Sequence, residues 1–173
     1  VRQENGTLSA DLLASLARQV AGFHDTLPPV ADDKPLGTPE AVFAAMQENF
    51  DQIRPLLDDQ GLLAQLDNLE AWTRTTFERQ QDLIAQRRQQ GFVRECHGDL
   101  HLANITVFEG KVTVFDCIEF NEPFRWIDVI NDLAFLLMDL ESRREPLLAN
   151  RVLNTYLEHR GDFDALPLLP LYK

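Results

Sequence analysis

The residues with the clearest chemistry form one short stretch, His-Gly-Asp-Leu-His-Leu-Ala-Asn at positions 97–104, and Asp116 follows it. Phosphoryl transfer to an alcohol needs a carboxylate beside the attacking hydroxyl and oxygen ligands that hold Mg²⁺ on the nucleotide phosphates. The stretch satisfies the His-x-Asp-Leu-x-x-x-Asn pattern of a kinase catalytic loop, with Gly98 where protein kinases carry arginine. This spacing predicts Asp99 as the base or orienting group and Asn104 and Asp116 as Mg²⁺ ligands.

A β-hairpin is predicted between the two metal-binding candidates. Residues 105–108 and 112–115 alternate β-branched and aromatic side chains, and they flank Glu109-Gly110-Lys111. Because a tight hairpin brings its two ends together, Asn104 and Asp116 can share one metal ion.

Three helices are predicted before this hairpin. Ser9 caps a helix that ends near Leu27, and Thr38-Pro39-Glu40 starts a second one. A third helix is predicted from about Leu62 to Gln89, followed by a stop at Gly91 and with a solvated Arg-Gln-Gln end. Apolar residues at helical spacing are expected to face inward: Leu12, Leu13, Leu16, Val20 and Phe23; Val42, Phe43, Met46, Phe50 and Ile53; Leu62, Leu66, Leu69, Trp72, Phe77 and Ile84.

Residues 92–96 read as a short extended segment, and helical spacing returns after the hairpin. One helix is predicted from Ile127 to Leu140, and Pro146 opens another. The order of helices, hairpin and helices predicts a mostly helical α+β fold in a single domain over residues 1–173.

The charge and composition of the chain restrict the classes of molecule that it is expected to bind. The formal net charge of −12 argues against a nucleic-acid polymer or an anionic membrane surface as a partner, because such surfaces require clustered lysine and arginine. A small-molecule partner fits better. Cys96 and Cys117 are isolated thiols, no signal peptide is evident, and no apolar run approaches the length that spans a bilayer. A reducing cytoplasm is therefore the expected location.

The stretch from position 97 to Asp116 resembles the aminoglycoside phosphotransferase and choline kinase-like superfamily, whose catalytic loop commonly reads His-Gly-Asp-x-x-x-x-Asn before a hairpin and an aspartate. The resemblance implies a kinase-like C-terminal lobe that uses ATP and Mg²⁺ to phosphorylate a hydroxyl of an aminoglycoside-, amino alcohol- or sugar-like acceptor. It implies Asp99 as the catalytic base, His97 as a loop-ordering residue, and Asn104 and Asp116 as metal ligands.

The resemblance extends beyond the loop. Phe23-His24 resembles a helix end common upstream in the family, and Asp132-Leu133-Ala134 resembles its Asp-Leu-Ala, where the acid braces the catalytic loop. Asp128 could take that bracing role instead. Residues 115–120 and 125–140 look closest to a bacterial subgroup of uncharacterised members, some of which are fused to an ATP-binding P-loop domain.

One part of a complete kinase has no counterpart in the sequence. No glycine-rich phosphate loop occurs, and Lys34, Lys111 and Lys173 are not placed on a strand ahead of the catalytic loop. The expectation is a fragment that lacks an N-terminal lobe, since the chain starts at Val1 without a methionine, and little turnover is expected from it alone.

Several residues have a structural interpretation beside a functional one. His101 either takes part in the chemistry or donates to a backbone carbonyl, and Glu119 is a candidate additional metal contact. His24 is expected to be a helix-end residue that packs beneath the loop and not a ligand, and His159 is expected to lie at the surface. Asp139, Glu141 and Glu145 are expected to be solvated, Cys96 and Cys117 to be small buried residues, and Trp72 and Trp126 to belong to the core.

Two other functions remain open. The His-x-Asp-x-His pattern at positions 97–101 could belong to a metal-dependent phosphohydrolase, although His24 and His159 are the only other histidines and are expected far from the loop. A kinase-like domain could also act as a non-catalytic binding or regulatory module. Intact Asp99, Asn104 and Asp116 argue against that, because metal ligands have no obvious use in a scaffold.

Overall fold

The computed structural model describes residues 9–109 and 111–173. Three helices come first, α1 (Ala10–Thr26), α2 (Pro39–Ile53) and α3 (Gln60–Gln89), with a 3₁₀ turn at Arg54–Leu56. Each helix starts at a polar cap, because the side chains of Ser9, Thr38 and Asp59 each accept a hydrogen bond from a backbone amide of the first turn. The predicted caps at Ser9 and Thr38 and the predicted end of α1 at Leu27 are confirmed.

The predicted hairpin is confirmed. After β1 (Val93–Glu95) and a 3₁₀ turn at Leu102–Asn104, the strands β2 (Ile105–Phe108) and β3 (Lys111–Val114) pair in antiparallel fashion. Ile105 lies opposite Val114. Gly110, in the predicted turn, lies outside the described residues, as does the chain start at Val1.

The second half contains α4 (Glu122–Arg125), β4 (Trp126–Asp128), α5 (Val129–Ser142), α6 (Pro146–Arg160), a 3₁₀ segment at Phe163–Leu168 and α7 (Leu169–Tyr172). The predicted helix start at Ile127 is wrong, because residues 126–128 instead pair with β1, with Val93 opposite Asp128. This pairing satisfies the backbone groups of β1, and the side chain of Asp128 then caps α5 by accepting from the amide of Ile130 at 3.0 Å.

The core forms where α1, α5 and α6 meet. Helix α5 is buried on nearly all sides, and α6 packs both against α5 and against α1. The buried residues of this core include Leu13, Leu16, Leu133, Leu136, Leu137, Val152 and Tyr156. Ile105 and Val112 of the hairpin join the same cluster. The hairpin is therefore anchored to the helical core through one face.

Helix α3 follows its predicted apolar stripe only in part. Leu66, Phe77 and Ile84 are buried, but Leu62, Leu69 and Trp72 are exposed, and Trp72 keeps 44% of its surface accessible. The long helix packs on α2 and on the core along a narrower face than the stripe predicts. No helix within residues 9–109 and 111–173 combines the length and the apolar character that crossing a membrane requires.

The end of α3 is more tightly held than the sequence indicates. Arg87 is 1% exposed, and its guanidinium binds Asp128 through Nε at 2.7 Å and Asp162 through Nη1 at 2.6 Å. Arg88, expected in a solvated tail, donates to the carbonyl of Leu36 at 3.0 Å. The end of α3 is thus fixed both to the start of α5 and to the loop that precedes α2.

Candidate active site

One buried carboxylate binds the start of the catalytic loop. Asp132, in the first turn of α5, accepts from the amide of Gly98 through Oδ1 at 2.8 Å and from the amide of His97 through Oδ2 at 3.3 Å. Both oxygens of Asp128, by contrast, bind Arg87. Of the two acids considered for bracing the loop, Asp132 is the one that contacts it.

Gly98 is required by the conformation of this loop. Its φ of +82° lies in the left-handed region, and a Cβ atom at this position would meet the carbonyl oxygen of Phe124 at 2.6 Å. A side chain of any size is therefore excluded, which accounts for glycine where protein kinases carry arginine.

His97 joins the catalytic loop to the segment that carries Asp116. Its Nδ1 accepts from the amide of Asp99 at 3.3 Å, so the proton lies on Nε2, which donates to the carbonyl of Phe115 at 2.9 Å. Its own carbonyl accepts from the amide of Ile118 at 3.1 Å. Both ring nitrogens are thus used to order the loop.

Asp99 is held through one carboxylate oxygen. Oδ2 accepts from Nδ2 of Asn104 at 3.1 Å and lies 3.3 Å from Nε2 of His101. Oδ1 has no hydrogen-bond partner among the described residues. Since the side chain is 40% exposed, this second oxygen can reach a bound hydroxyl.

Asn104 and His101 have well-defined orientations. The Asn104 amide nitrogen also donates to the carbonyl of Asp99 at 3.0 Å, which leaves its Oδ1 as a ligand atom for a cation. Nδ1 of His101 accepts from the amide of Ala103 at 3.1 Å and caps the 3₁₀ turn, so the proton is on Nε2, toward Asp99.

Asp116 is placed beside the loop by backbone hydrogen bonds. The amide of Phe115 donates to the carbonyl of Asn104 at 3.0 Å, and Asp116 follows with a φ of +62°, a conformation that aspartate tolerates better than most residues. Its side chain is exposed. Glu119 is also exposed, and no hydrogen bond or ion pair joins it to Asn104 or Asp116 within the described chain.

Two cavities open on either side of this loop. One, of about 300 Å³, lies between α1 and β3 and is lined by Phe23, His97 and Asp116. The other, of about 350 Å³, lies between the loop and α5 and is lined by Asp99 and His101 together with residues of α5. The metal candidate Asp116 and the base candidate Asp99 therefore border different cavities.

His24 packs beneath the loop, as expected of this helix-end residue, and not far from it, where the hydrolase alternative placed it. It is fully buried, and its Nε2 lies 2.9 Å from Oδ2 of Asp132 while Nδ1 lies 2.8 Å from the hydroxyl of Tyr156. Burial raises the pKa of Tyr156 well above its usual value, so this hydroxyl keeps its proton beside Nδ1. Tyr156 and His24 thus orient the acid that binds the loop.

Two other expectations are corrected. Cys117 is exposed, not buried, because it follows β3 on the solvent side of the hairpin. Asp139 is not a solvated acid, since its Oδ2 accepts from the amide of Leu102 in the catalytic loop at 2.9 Å. Cys96 is buried as expected, and burial raises the pKa of its thiol well above the usual value, with Asp132 and Asp128 adding to the effect.

The arrangement does not favour a metal-dependent hydrolase. Both nitrogens of His97 are used inside the protein, and Nδ1 of His101 caps a turn, so the histidines do not converge with Asp99 on one ion. Among the described residues one buried group has metal-ligand types in proximity, His24, Cys96 and Asp132. Its members are hydrogen-bonded, and its thiol stays protonated, whereas metal binding requires a thiolate.

The mostly helical α+β fold, with an aspartate-bearing loop that leads into a hairpin, defines a kinase-like catalytic lobe. The phosphotransferase enzyme family (APH) matches residues 2–169, and the chain belongs to this family. The predicted resemblance is thereby confirmed. This family consists of phosphotransferase enzymes.

The sequence relatives are mycobacterial proteins whose names state no function. Uncharacterised proteins of Mycobacterium tuberculosis and Mycobacterium bovis are 34% identical over 90 residues, which is 52% of this chain and 18% of each relative. The match thus spans less than a fifth of the relatives' length. No solved structure matches the chain.

Proposed function

We propose that this chain carries the acceptor-activating centre of an ATP- and Mg²⁺-dependent phosphotransferase that acts on a hydroxyl of a small molecule. The observation that carries the proposal is the state of Asp99. One of its oxygens is held by Asn104 and His101, the other has no hydrogen-bond partner in the described part of the chain, and the residue borders an open cavity. A carboxylate fixed in this way is suited to accept a proton from a bound alcohol.

The reaction follows from this placement. The acceptor hydroxyl donates its proton to Asp99 while its oxygen forms a bond to the γ-phosphorus of ATP, and the bond from that phosphorus to the β-bridging oxygen breaks, releasing ADP. Oδ1 of Asn104 and the carboxylate of Asp116 are hard oxygen donors, which fit Mg²⁺. When bound there, Mg²⁺ would neutralise charge on the nucleotide phosphates.

We propose that the acceptor lies in the cavity of about 350 Å³ beside Asp99. This volume is within the range of small-molecule sites. Phe135 and Met138 of α5 line its wall, and Ser142 supplies a hydroxyl at its edge. The site therefore offers apolar contact to the body of an acceptor and polar contact to its hydroxyl groups, which is compatible with an amino alcohol, a sugar or an aminoglycoside.

In this proposal, a second lobe or a fused nucleotide-binding domain supplies the cation that anchors the nucleotide phosphates. Lys34 pairs with Glu122 at 3.2 Å and Lys173 with Glu141 at 2.8 Å, both at the surface. Neither ion pair includes a residue of the catalytic loop, which supports an anchor outside the described elements.

The test is ADP release by the full-length protein with ATP, Mg²⁺ and a panel of aminoglycosides, amino alcohols, sugars and nucleosides. For an accepted compound, Asp99→Asn should lower kcat by about 10²- to 10⁴-fold, because the amide cannot accept the proton. Asp82→Asn makes the same chemical change at an exposed position of α3 and should leave kcat at the wild-type value. Wild-type turnover in the Asp99→Asn protein, with circular dichroism unchanged, would refute the assignment of Asp99.

A further inference from the structure

We propose that Asp139 is a positioning residue that fixes the second half of the catalytic loop, an inference that rests on the proposed function. Asp139 lies near the end of α5, where an acid would ordinarily be solvated. Its side chain is only 17% exposed, and its two oxygens have different partners. Oδ2 accepts from the amide of Leu102 at 2.9 Å, and Oδ1 accepts from Nε of Arg143 at 2.8 Å.

Asp139 and Asp132 act from the same helix. They are seven residues apart, which is two turns, so both side chains project from one face of α5 toward the loop. Asp132 binds the amides of His97 and Gly98, and Asp139 binds the amide of Leu102. The two carboxylates thus hold the loop on either side of Asp99, at a separation that a rigid helix sets at about 10 Å.

The amide of Leu102 matters because it opens the turn that ends at Asn104. In the turn Leu102–Asn104, the next amide is that of Ala103, and it donates to Nδ1 of His101. The side chain of Asn104 in turn donates to the carbonyl and to Oδ2 of Asp99. A shift of this turn would therefore move a metal ligand and the base together, and small displacements of reacting groups are costly in rate.

The contact with Arg143 has no such consequence. It joins residues one helical turn apart at the surface, and the Arg143 side chain is 52% exposed. Exposed pairs of this kind contribute little to stability. Arg143 therefore provides a matched control, since its loss removes one partner of Asp139 and leaves the bond to Leu102 in place.

The kinetic experiment compares Asp139→Leu, Asp139→Asn and Arg143→Gln in the full-length protein with an accepted acceptor. Asp139→Leu should lower kcat by about 10- to 100-fold, because the base and the metal ligand are displaced together. Since Asp139 also lines the proposed acceptor cavity, the acceptor KM is expected to change as well, and the loss of kcat is the effect that tests positioning. Asp139→Asn should recover most of kcat, since an amide oxygen can accept from Leu102, and Arg143→Gln should match wild type. A change confined to acceptor KM, or an Arg143→Gln protein as slow as Asp139→Leu, would overturn the inference.

A second measurement separates this inference from the proposed function. Amide hydrogen exchange of Leu102 and Ala103, read by NMR, should be faster in Asp139→Leu than in wild type, while a core amide such as that of Leu136 keeps its protection. If the protein transfers no phosphate but this local increase occurs, the proposed function fails and the positioning contact stands. Unchanged exchange at Leu102 in Asp139→Leu overturns the inference whatever the activity.

Discussion

At the scale of single residues, the catalytic loop is held mainly through its backbone. Asp132 and Asp139 bind main-chain amides of the loop, and His97 binds a carbonyl and an amide. Such contacts fix the path of the chain while leaving the side chain of Asp99 to the cavity. Gly98 is the position at which this path allows least change, because it combines a positive φ with close packing against another segment.

Gly98→Ala should therefore abolish phosphoryl transfer and lower the free energy of unfolding by about 2 kcal/mol or more, from backbone strain and the contact with the Phe124 carbonyl. Urea denaturation and ADP release measure the two effects. Gly22→Ala is the matched control, because a Cβ atom there meets nothing within 4 Å and the residue lies inside α1. That substitution should stabilise the protein by about 0.5–1 kcal/mol. An active Gly98→Ala protein of normal stability would contradict this account.

Some residues of the site could be identified from the sequence, and others could not. The spacing of Asp99, Asn104 and Asp116 follows a known pattern of residue types, so these candidates could be identified before the structure. The role of Asp139 could not, because its partner in the loop is a backbone amide, which every residue except proline carries. His24 stood near a recognised helix end, but its contact with Asp132 spans 108 positions of sequence.

At the scale of elements, a buried ion-pair network ties α3 to α5 and to the segment after α6. Arg87 binds Asp128 and Asp162 with both sides of its guanidinium. Its Cζ lies 4.0 Å from the centroid of the Phe92 ring. Burial alone lowers the pKa of Arg87, but the hydrogen bonds that Arg87 donates to Asp162 and Asp128 outweigh it, so the pKa is raised overall and the charge persists. Asp128 belongs both to this network and to the cap of α5, since its Oδ1 also accepts from the amide of Ile130.

Arg87→Met should lower the free energy of unfolding by about 3–5 kcal/mol, because two buried carboxylates would lose their cation. Equilibrium urea unfolding measures the loss. Arg79→Met, an exposed position of the same helix, should change stability by less than about 0.5 kcal/mol. Adding Asp128→Asn and Asp162→Asn to Arg87→Met should recover part of the loss, since the uncompensated charges are removed. Equal stability of the Arg87→Met and Arg79→Met proteins would show that the network contributes nothing.

The ends of some elements, and the exposure of their faces, could not be predicted from the sequence. Helical periodicity from Ile127 onward was correct for α5 but could not place its first residue, because the strand β4 forms only through pairing with the distant β1. The apolar stripe of α3 predicted the helix but not its exposure at Trp72, since burial depends on which neighbours reach that face. Local capping by Ser9 and Thr38, which needs no distant partner, was predictable.

At the scale of the whole molecule, charge determines how a nucleotide can bind. The chain has 28 acidic and 16 basic residues apart from histidine, for a formal net charge of −12. A nucleotide is itself an anion, so the field of the protein opposes its approach. A divalent cation held by the carboxylate of Asp116 would reverse the sign of the local interaction with the phosphates. Nucleotide affinity should therefore depend strongly on the cation.

We expect the full-length protein to bind ADP at least about tenfold more tightly with saturating Mn²⁺, a spectroscopic substitute for Mg²⁺, than with EDTA, a difference of about 1.4 kcal/mol. Isothermal titration calorimetry measures the affinity, and electron paramagnetic resonance reports bound Mn²⁺. Asp116→Asn should remove most of the gain, because it removes the charge that holds the cation. Asp164→Asn, at an exposed position after α6, should retain the gain. Glu119→Gln decides whether Glu119 is a ligand: a full gain in that variant excludes it, and a reduced gain includes it. ADP binding of equal affinity in Mn²⁺ and EDTA would contradict the metal-bridged nucleotide, and the assignment of Asp116 with it.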